Sequence, residues 1–397
     1  MNKILHTAQF IDCYYPVIDG VVTVVDNYAR RLNSEKSSSV VVTSKAIGYD
    51  DSNLSYPVIR CEALNYKKNI YGMPLPVFDL PFRMETESLP LDIVHCHSPA
   101  SVGKYGISLA AERDIPSIIT FHSKFYDNIL KVVKFDPLTR LPMAYVLDAF
   151  NRADFVWAVS EGSGEVLKSY GYKGEYEVVE NGCEMKKWNF TPEEKLAFDE
   201  KYGIKPDEYV FLFVGQIINH KNVKFSLDAV NILKQQGMKV KFLLAGTGYN
   251  FDEIVDHAKE IGLDEAVFIG KVSDREELSR LYTRADLFLF PSAYDNAPLV
   301  VMEAAACDTA PVVIKGSTTA ERVTDGFNGY ITNDDVNYYA GKIKDAIADR
   351  ERLAVVSKNA HDTIGKNFDK VVEEVYDRYK ECIRLYNLKK TLTAVNE

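Results

Sequence analysis

The stretch DLFLFPSAYDNAPLVVMEAAAC, residues 286–307, changes its hydrophobic period partway along. LFLF is a continuous apolar run, the mark of a strand buried on both faces. AYDNA is a polar exit loop. Pro298 suits the first turn of a helix that runs on through LVVMEAAAC, with Asp295 or Asn296 placed to cap it. A strand that feeds a helix through a short loop is the repeating half of a parallel α/β sheet. A packing helix has no use for carboxylates, yet Asp295 and Glu303 flank the start of this one with seven residues between them. The amides near Pro298, Leu299 and Val300 make that start an anion site, favoured by the helix dipole. Glu303, little more than one turn in, is suited to accept hydrogen bonds from two sugar hydroxyls. A ligand with a phosphate centre and polyol ends fits this arrangement, and a nucleotide sugar is such a molecule.

The same rhythm extends in both directions. Upstream of residue 184, the strand-like runs KIL, SSVVVTS, DIVHCH, SIITFH, FVWAVS and YEVVEN alternate with helical patterns such as GVVTVVDNYARRL. Residues 184–207 are polar and break the rhythm, which marks a linker. YVFLFVG, KFLLAG, AVFIG, DLFLFPS and APVVIKG then restart it, and the tail from Val336 is helical. The expectation is an α/β chain of two doubly wound, Rossmann-like domains facing each other across a cleft. Residues 1–190 are expected to form the first domain and 191–370 the second, which carries the nucleotide-sugar site, with a C-terminal helix over 371–397. Ligands of such sheets sit beyond the carboxyl ends of the strands.

Composition narrows the function. The chain has 397 residues, 46% hydrophobic and 26% charged, with a formal net charge of −10. That charge argues against nucleic acid as a partner, because a phosphate backbone needs a large basic footprint. No apolar run reaches the ~18 residues of a membrane span, and MNKILHTAQFIDC does not read as a signal peptide. A cytoplasmic protein, peripheral at most at the inner face of a membrane, is expected. The six cysteines form no CxxC pair and read as reduced and mostly buried, so no metal site is expected. KILHTAQFIDCYYP lacks G-x-G-x-x-G after the first strand, and AGTGYN alone is weak, which argues against a nicotinamide enzyme.

VGQIINHKN follows the first strand of the second half and sets Lys221 at the start of the next helix, where a cation can meet a diphosphate. With DNAPLVVME, EAAAC and TDGFNGYI, this half resembles the retaining family 4 glycosyltransferases, which have the two-Rossmann GT-B fold. YYPVIDGVVTVV, DIVHCHSP, SIITFHSK, RADFVWAVSEGS and VENGCE extend the resemblance across the first half. The resemblance implies that Glu303 binds the donor ribose, that Asp295 sits by the transferred sugar, and that Lys221 neutralises the diphosphate, assisted by the amides of Leu299 and Val300. It implies that the backbone at Lys271 and Val272 holds the base, that Gly20 permits close approach of a first-domain loop, and that His122 contacts the sugar. His95 and His97 read as strand-end structure first and acceptor contacts second. Three positions depart from the family pattern. Gln216 stands for the usual Arg and can still donate hydrogen bonds to the donor. Asp295 stands for Glu and is roughly 1.5 Å shorter in reach. Asp308 stands for Gly. Altered donor geometry is the expected consequence.

The resemblance further implies that the first domain is the acceptor side, that the C-terminal helix over 371–397 crosses back to it, and that the anomeric configuration is retained. No DxD-like pair is present, so transfer without a metal or other cofactor is expected, with the nucleotide sugar as co-substrate. UDP-hexose is the expected donor and GDP-mannose the next. HCHSPASVGKYGISLAAERDIPSIITFHSK resembles bacterial relatives that glycosylate diacylglycerol, so a lipid is one expected acceptor, and a saccharide or glycoconjugate built on a lipid carrier is another. The segments at 64–84 and 128–135 mix basic and apolar residues as a surface-seeking segment would. Two other readings stay open: a non-catalytic nucleotide-sugar-binding protein, and a sugar-nucleotide 2-epimerase of the same fold.

Overall fold

The computed structural model describes residues 4–17, 19–64, 72–122, 140–292, 295 and 298–396. The chain forms two compact units. One comprises residues 1–181 together with 368–397, and the other comprises 182–367.

In the first unit the strands are β1 (Leu5–Phe10), β2 (Ser37–Ser44), β3 (Val58–Cys61), β4 (Ala63–Leu64), β5 (Met73–Pro74), β6 (Ile93–Cys96), β7 (Ser117–Phe121), β8 (Phe155–Ala158) and β9 (Glu177–Val178). Seven of them form one parallel sheet in the order β3-β2-β1-β6-β7-β8-β9, while β4 and β5 pair antiparallel. The helices Leu80–Ser88, Ser101–Glu112, Arg140–Arg152 and Glu161–Ser169 contribute to the core on one face. The helices Gly20–Leu32 and Phe368–Asn396 cover the other, where Val24, Tyr28, Val371, Val375 and Tyr379 pack on Ile93, Ile118 and Trp157. Arg31 Nε donates to Asp369 Oδ1 at 2.6 Å and ties these two helices together.

The first strand is longer than the apolar run KIL suggests. It continues through His6, Thr7 and Gln9, polar residues that a hydrophobic pattern passes over. Thr7 and Gln9 are buried and hydrogen-bonded within the fold, which offsets the cost of removing them from water.

In the second unit β10 (Tyr209–Val214), β11 (Val240–Ala245), β12 (Ala266–Gly270), β13 (Leu287–Phe290), β14 (Ala310–Ile314) and β15 (Tyr330–Thr332) form a parallel sheet in the order β12-β11-β10-β13-β14-β15. Its core holds Phe211, Phe213, Phe242, Phe288 and Phe290, all fully buried. Each contributes roughly 1.5–3 kcal/mol relative to exposure. Residues 184–207 do not remain a bare linker. They include the helix Pro192–Tyr202, closed at one end by a Thr191–Glu194 capping box and at the other by Gly203 at φ +65°.

The strand order of each sheet reverses once, between β1 and β6 in the first unit and between β10 and β13 in the second. Where neighbouring strands feed their helices to opposite sides, a crevice opens beyond the carboxyl ends, the usual ligand position in such sheets. Gln216 and Lys221 follow β10, and Asp295 and Pro298 follow β13, so the sequence-derived candidates flank the second reversal. Among the described residues no helix is long and apolar enough to cross a membrane.

Candidate functional site

The loop after β10 is shaped by close backbone packing. A Cβ on Gly246 would lie 1.8 Å from the Gly215 carbonyl oxygen, and one on Gly248 would lie 2.2 Å from that of Ile217. Only glycine allows the exits of β11 and β10 to approach this closely. The AGTGYN segment, weak as a dinucleotide signal, is a packing element here. The chain then makes a short turn over Asn219–Lys221, passes through Asn222 at φ +55°, and enters the helix Val223–Gln235.

The Lys221 ammonium hydrogen-bonds Asp295 Oδ1 and lies 5.3 Å from the centroid of the Phe290 ring. Both side chains are largely shielded, at 18% and 22% exposure, so their attraction is less screened than that of a surface pair. Thr318 Oγ1 donates to the Asp295 carbonyl oxygen and fixes the loop from the β14 side. Asp295 Oδ2 is buried and has no hydrogen-bond partner among the described residues. A carboxylate oxygen in that state is a ready acceptor for an incoming hydroxyl.

Pro298 is the N-cap of the helix Leu299–Ala306 rather than part of its first turn, and no described side chain caps it. Asp295, one of the two expected caps, is committed to Lys221 instead, and Asn296 lies outside the described residues. The amide end of the helix therefore keeps its capacity for an anion.

Glu303 is 7% exposed on this helix. Its Oε1 accepts from Arg275 Nη1 at 3.0 Å and its Oε2 from Tyr282 Oη at 3.0 Å. Burial, then the neighbouring Glu303 charge, pushes the Tyr282 hydroxyl well above its usual range, so it stays a donor. Arg275 and Tyr282 were not among the sequence candidates. Their signal was present: seven residues apart on the helix Arg275–Arg284, they share one face.

The remaining candidates are distributed more widely. Gln216 is exposed, and its carbonyl oxygen accepts from the Ile218 amide at 3.1 Å. Lys271 and Val272 follow β12, two strands from β10, and help line a pocket of about 510 Å³ with Tyr202 and Glu277. In the first unit Gly20 is the exposed first residue of the helix Gly20–Leu32, which Asp19 caps by accepting from the Val22 amide at 2.8 Å. His122 follows β7, with Nε2 3.1 Å from His97 Nδ1. Burial pushes its pKa down to about 3. His95 is fully structural in its contacts, with Nδ1 2.7 Å from Tyr379 Oη and Nε2 2.7 Å from Thr120 Oγ1. The segment at 128–135 and residues 65–71 lie outside the described residues. In the rest of the 64–84 segment Met73, Val77, Phe78, Leu80 and Met84 are all exposed.

Residues 18–187 match the family model described as Glycosyltransferase Family 4, and residues 194–363 match that of Glycosyl transferases group 1. The alpha-monoglucosyldiacylglycerol synthase of Acholeplasma laidlawii is 27% identical over 395 residues, covering 95% of each chain. The synthase of the same name from Streptococcus pneumoniae is 25% identical over 390 residues, 94% of this chain and 85% of that one. Among solved structures, Anabaena HepE in complex with UDP and glucose superposes with a TM-score of 0.75 at 17% identity, covering 95% of this chain and all of that one. Sucrose-phosphate synthase from Thermosynechococcus elongatus gives 0.76 at 16% identity, covering 96% and 100%. The chain is a relative of glycosyltransferases along both units, and its two parallel sheets with a C-terminal helix match the GT-B architecture.

Proposed function

We propose that the protein is a retaining, metal-independent hexosyltransferase that moves glucose from UDP-glucose to a bacterial envelope lipid, with diacylglycerol as the first candidate acceptor. The observation that carries this reading is the Lys221–Asp295 pair beside the start of the helix Leu299–Ala306, which no described side chain caps. Cleaving the bond between the anomeric carbon and phosphate leaves negative charge on the departing diphosphate and positive charge on the carbon. In this reading the Lys221 ammonium and the amides of Leu299 and Val300 stabilise the first. In the same reading Asp295 faces the sugar, its Oδ2, which no described residue bonds, accepting from a hydroxyl. Arg275 and Tyr282 each occupy one lone pair of Glu303, and a carboxylate has others left for the ribose. The backbone at Lys271 and Val272 is proposed to hold the base, Gln216 to donate to the diphosphate, and His122 and Gly20 to meet the sugar.

The names of the Acholeplasma and Streptococcus relatives support a glucosyl lipid product. The exposed apolar residues between Met73 and Met84 support contact with a lipid surface, at the inner face of the membrane. The test is incubation with radiolabelled UDP-glucose and diacylglycerol-containing vesicles without added metal, followed by separation of the lipids. A labelled glucolipid that disappears in Lys221→Ala is the expected result. Donor binding with neither transfer nor hydrolysis would replace this reading with that of a non-catalytic binder. An isomerised sugar formed without acceptor would replace it with that of an epimerase.

A further inference from the structure

Three histidines of the first unit stand in file where β6 and β7 end. The ring centroids of His95 and His97 are 4.0 Å apart, and those of His97 and His122 are 5.3 Å apart with the rings tilted by 26°. His95 and His97 are buried, and His122 is half-buried. Burial is the largest influence on all three, and it holds His95 and His97 well below the usual histidine range. The rings are therefore neutral at pH 7, and each carries one N–H.

The location of each hydrogen follows from the partners at the far end of the file. Thr7 Oγ1 donates its one hydrogen to the Ser38 carbonyl oxygen at 3.2 Å, so toward Gln9 it can only accept. Gln9 Nε2 donates to Thr7 Oγ1 at 3.4 Å and to Ser39 Oγ at 3.2 Å. This turns Gln9 Oε1 toward His97 Nε2, 2.9 Å away. An amide oxygen only accepts, so His97 Nε2 bears the hydrogen and His97 Nδ1 is left as an acceptor. His122 Nε2, 3.1 Å from that acceptor, must donate to it.

We propose that Gln9 and His97 are positioning residues that hold His122 in its Nε2–H tautomer, so that its Nδ1 serves as an acceptor for a substrate hydroxyl. The consequence for substrate rests on the reading of His122 as a sugar contact, whereas the tautomer is a property of the free protein. A ring held this way takes a hydrogen from one hydroxyl of the transferred sugar. It discriminates against a donor carrying fluorine or methoxy in that place, because neither can donate.

The test is long-range 1H–15N correlation of the full chain with 15N-labelled histidine at pH 7, the His122 signals being assigned from their loss in His122→Asn. The expected spectrum has a protonated Nε2 and an unprotonated Nδ1 at His122. In Gln9→Leu the acceptor is gone, and both His122 nitrogens should move toward averaged shifts. The same variant should lose about tenfold in kcat/KM for UDP-glucose, through the sugar, while its affinity for UDP stays unchanged. A hydrogen on His122 Nδ1 in the wild type, or an unaltered His122 pattern in Gln9→Leu, overturns the proposal. The wild-type spectrum decides alone if Gln9→Leu does not fold. Absent transfer combined with the expected tautomer counts against the transferase reading and leaves the positioning role standing.

Discussion

Lys221 and Asp295 leave neighbouring strands of the second sheet and meet as an ion pair, closing the sheet's reversal point with opposite charges. The pair is expected to matter more to chemistry than to folding. Lys221→Ala should lower kcat with UDP-glucose by about 10²- to 10³-fold, the usual cost of removing one fixed electrostatic donor. Its cost in stability should be about 1–3 kcal/mol, because the pair is largely shielded and the substitution leaves the Asp295 carboxylate without its partner. Initial rates and urea midpoints measured on the same preparation separate the two. A large fall in midpoint with unchanged kcat would contradict the assignment.

Tyr282 should act through Glu303. Tyr282→Phe keeps the buried ring and removes one hydrogen bond, costing about 1 kcal/mol of stability. With one Glu303 oxygen released, the donor KM should rise several-fold while kcat changes less. Steady-state kinetics with UDP-glucose at fixed acceptor checks this, and Glu303→Ala should exceed it on both measures.

The buried histidines predict acid sensitivity. Their folded pKa values lie below the unfolded value of 6.5, about 3 in the case of His122. The unfolded chain therefore binds the extra protons. Their contribution is fully present above pH 6.5 and is lost as pH falls below it, down to about 3 in the case of His122. One such group gives a slope of about 1.4 kcal/mol per pH unit once its unfolded form is protonated. Urea midpoints between pH 7 and pH 4.5 should fall less steeply in His122→Asn than in the wild type, by about one proton's worth.

Asp308 occupies a left-handed backbone position, φ +58°, with its Oδ2 2.7 Å from Lys187 Nζ. Asp308→Gly relieves roughly 1–2 kcal/mol of backbone cost and removes the ion pair to a half-exposed lysine and the contact of Oδ1 with His361 Nδ1, 2.9 Å away, together worth about 1 kcal/mol. The variant should be as stable as the wild type or more so. Thermal melts at low and high salt check the balance, since salt weakens only the ion pair and should leave the gain from glycine smaller at low salt than at high.

The apolar strands were legible because two-sided burial demands continuous runs such as LFLF and YVFLFV. β1 was cut short because Thr7 and Gln9 are buried polar residues, and pattern alone cannot see the hydrogen bonds that permit this. The short strands Tyr330–Thr332 and Val58–Cys61 also escaped, being too brief to show a period. Lys221 and Asp295 stood out because each is a charge in the segment that leads from a buried strand to the next helix, where ligands of such sheets sit. Arg275 and Tyr282 did not, because a helix rich in arginines and glutamates conceals which of its side chains reach a carboxylate on another helix.

The first unit is discontinuous in sequence: it is left at Asn181 and completed only by the helix that begins at Phe368. On a ribosome adding about 5–20 residues per second, roughly 10–40 s pass between those two points. Throughout that interval the sheet face that Tyr379 will cover stays open, with Trp157 and His95 unshielded. The downstream unit is finished first, so a nascent chain halted before residue 368 carries one complete fold and one incomplete fold that a holdase chaperone would recognise.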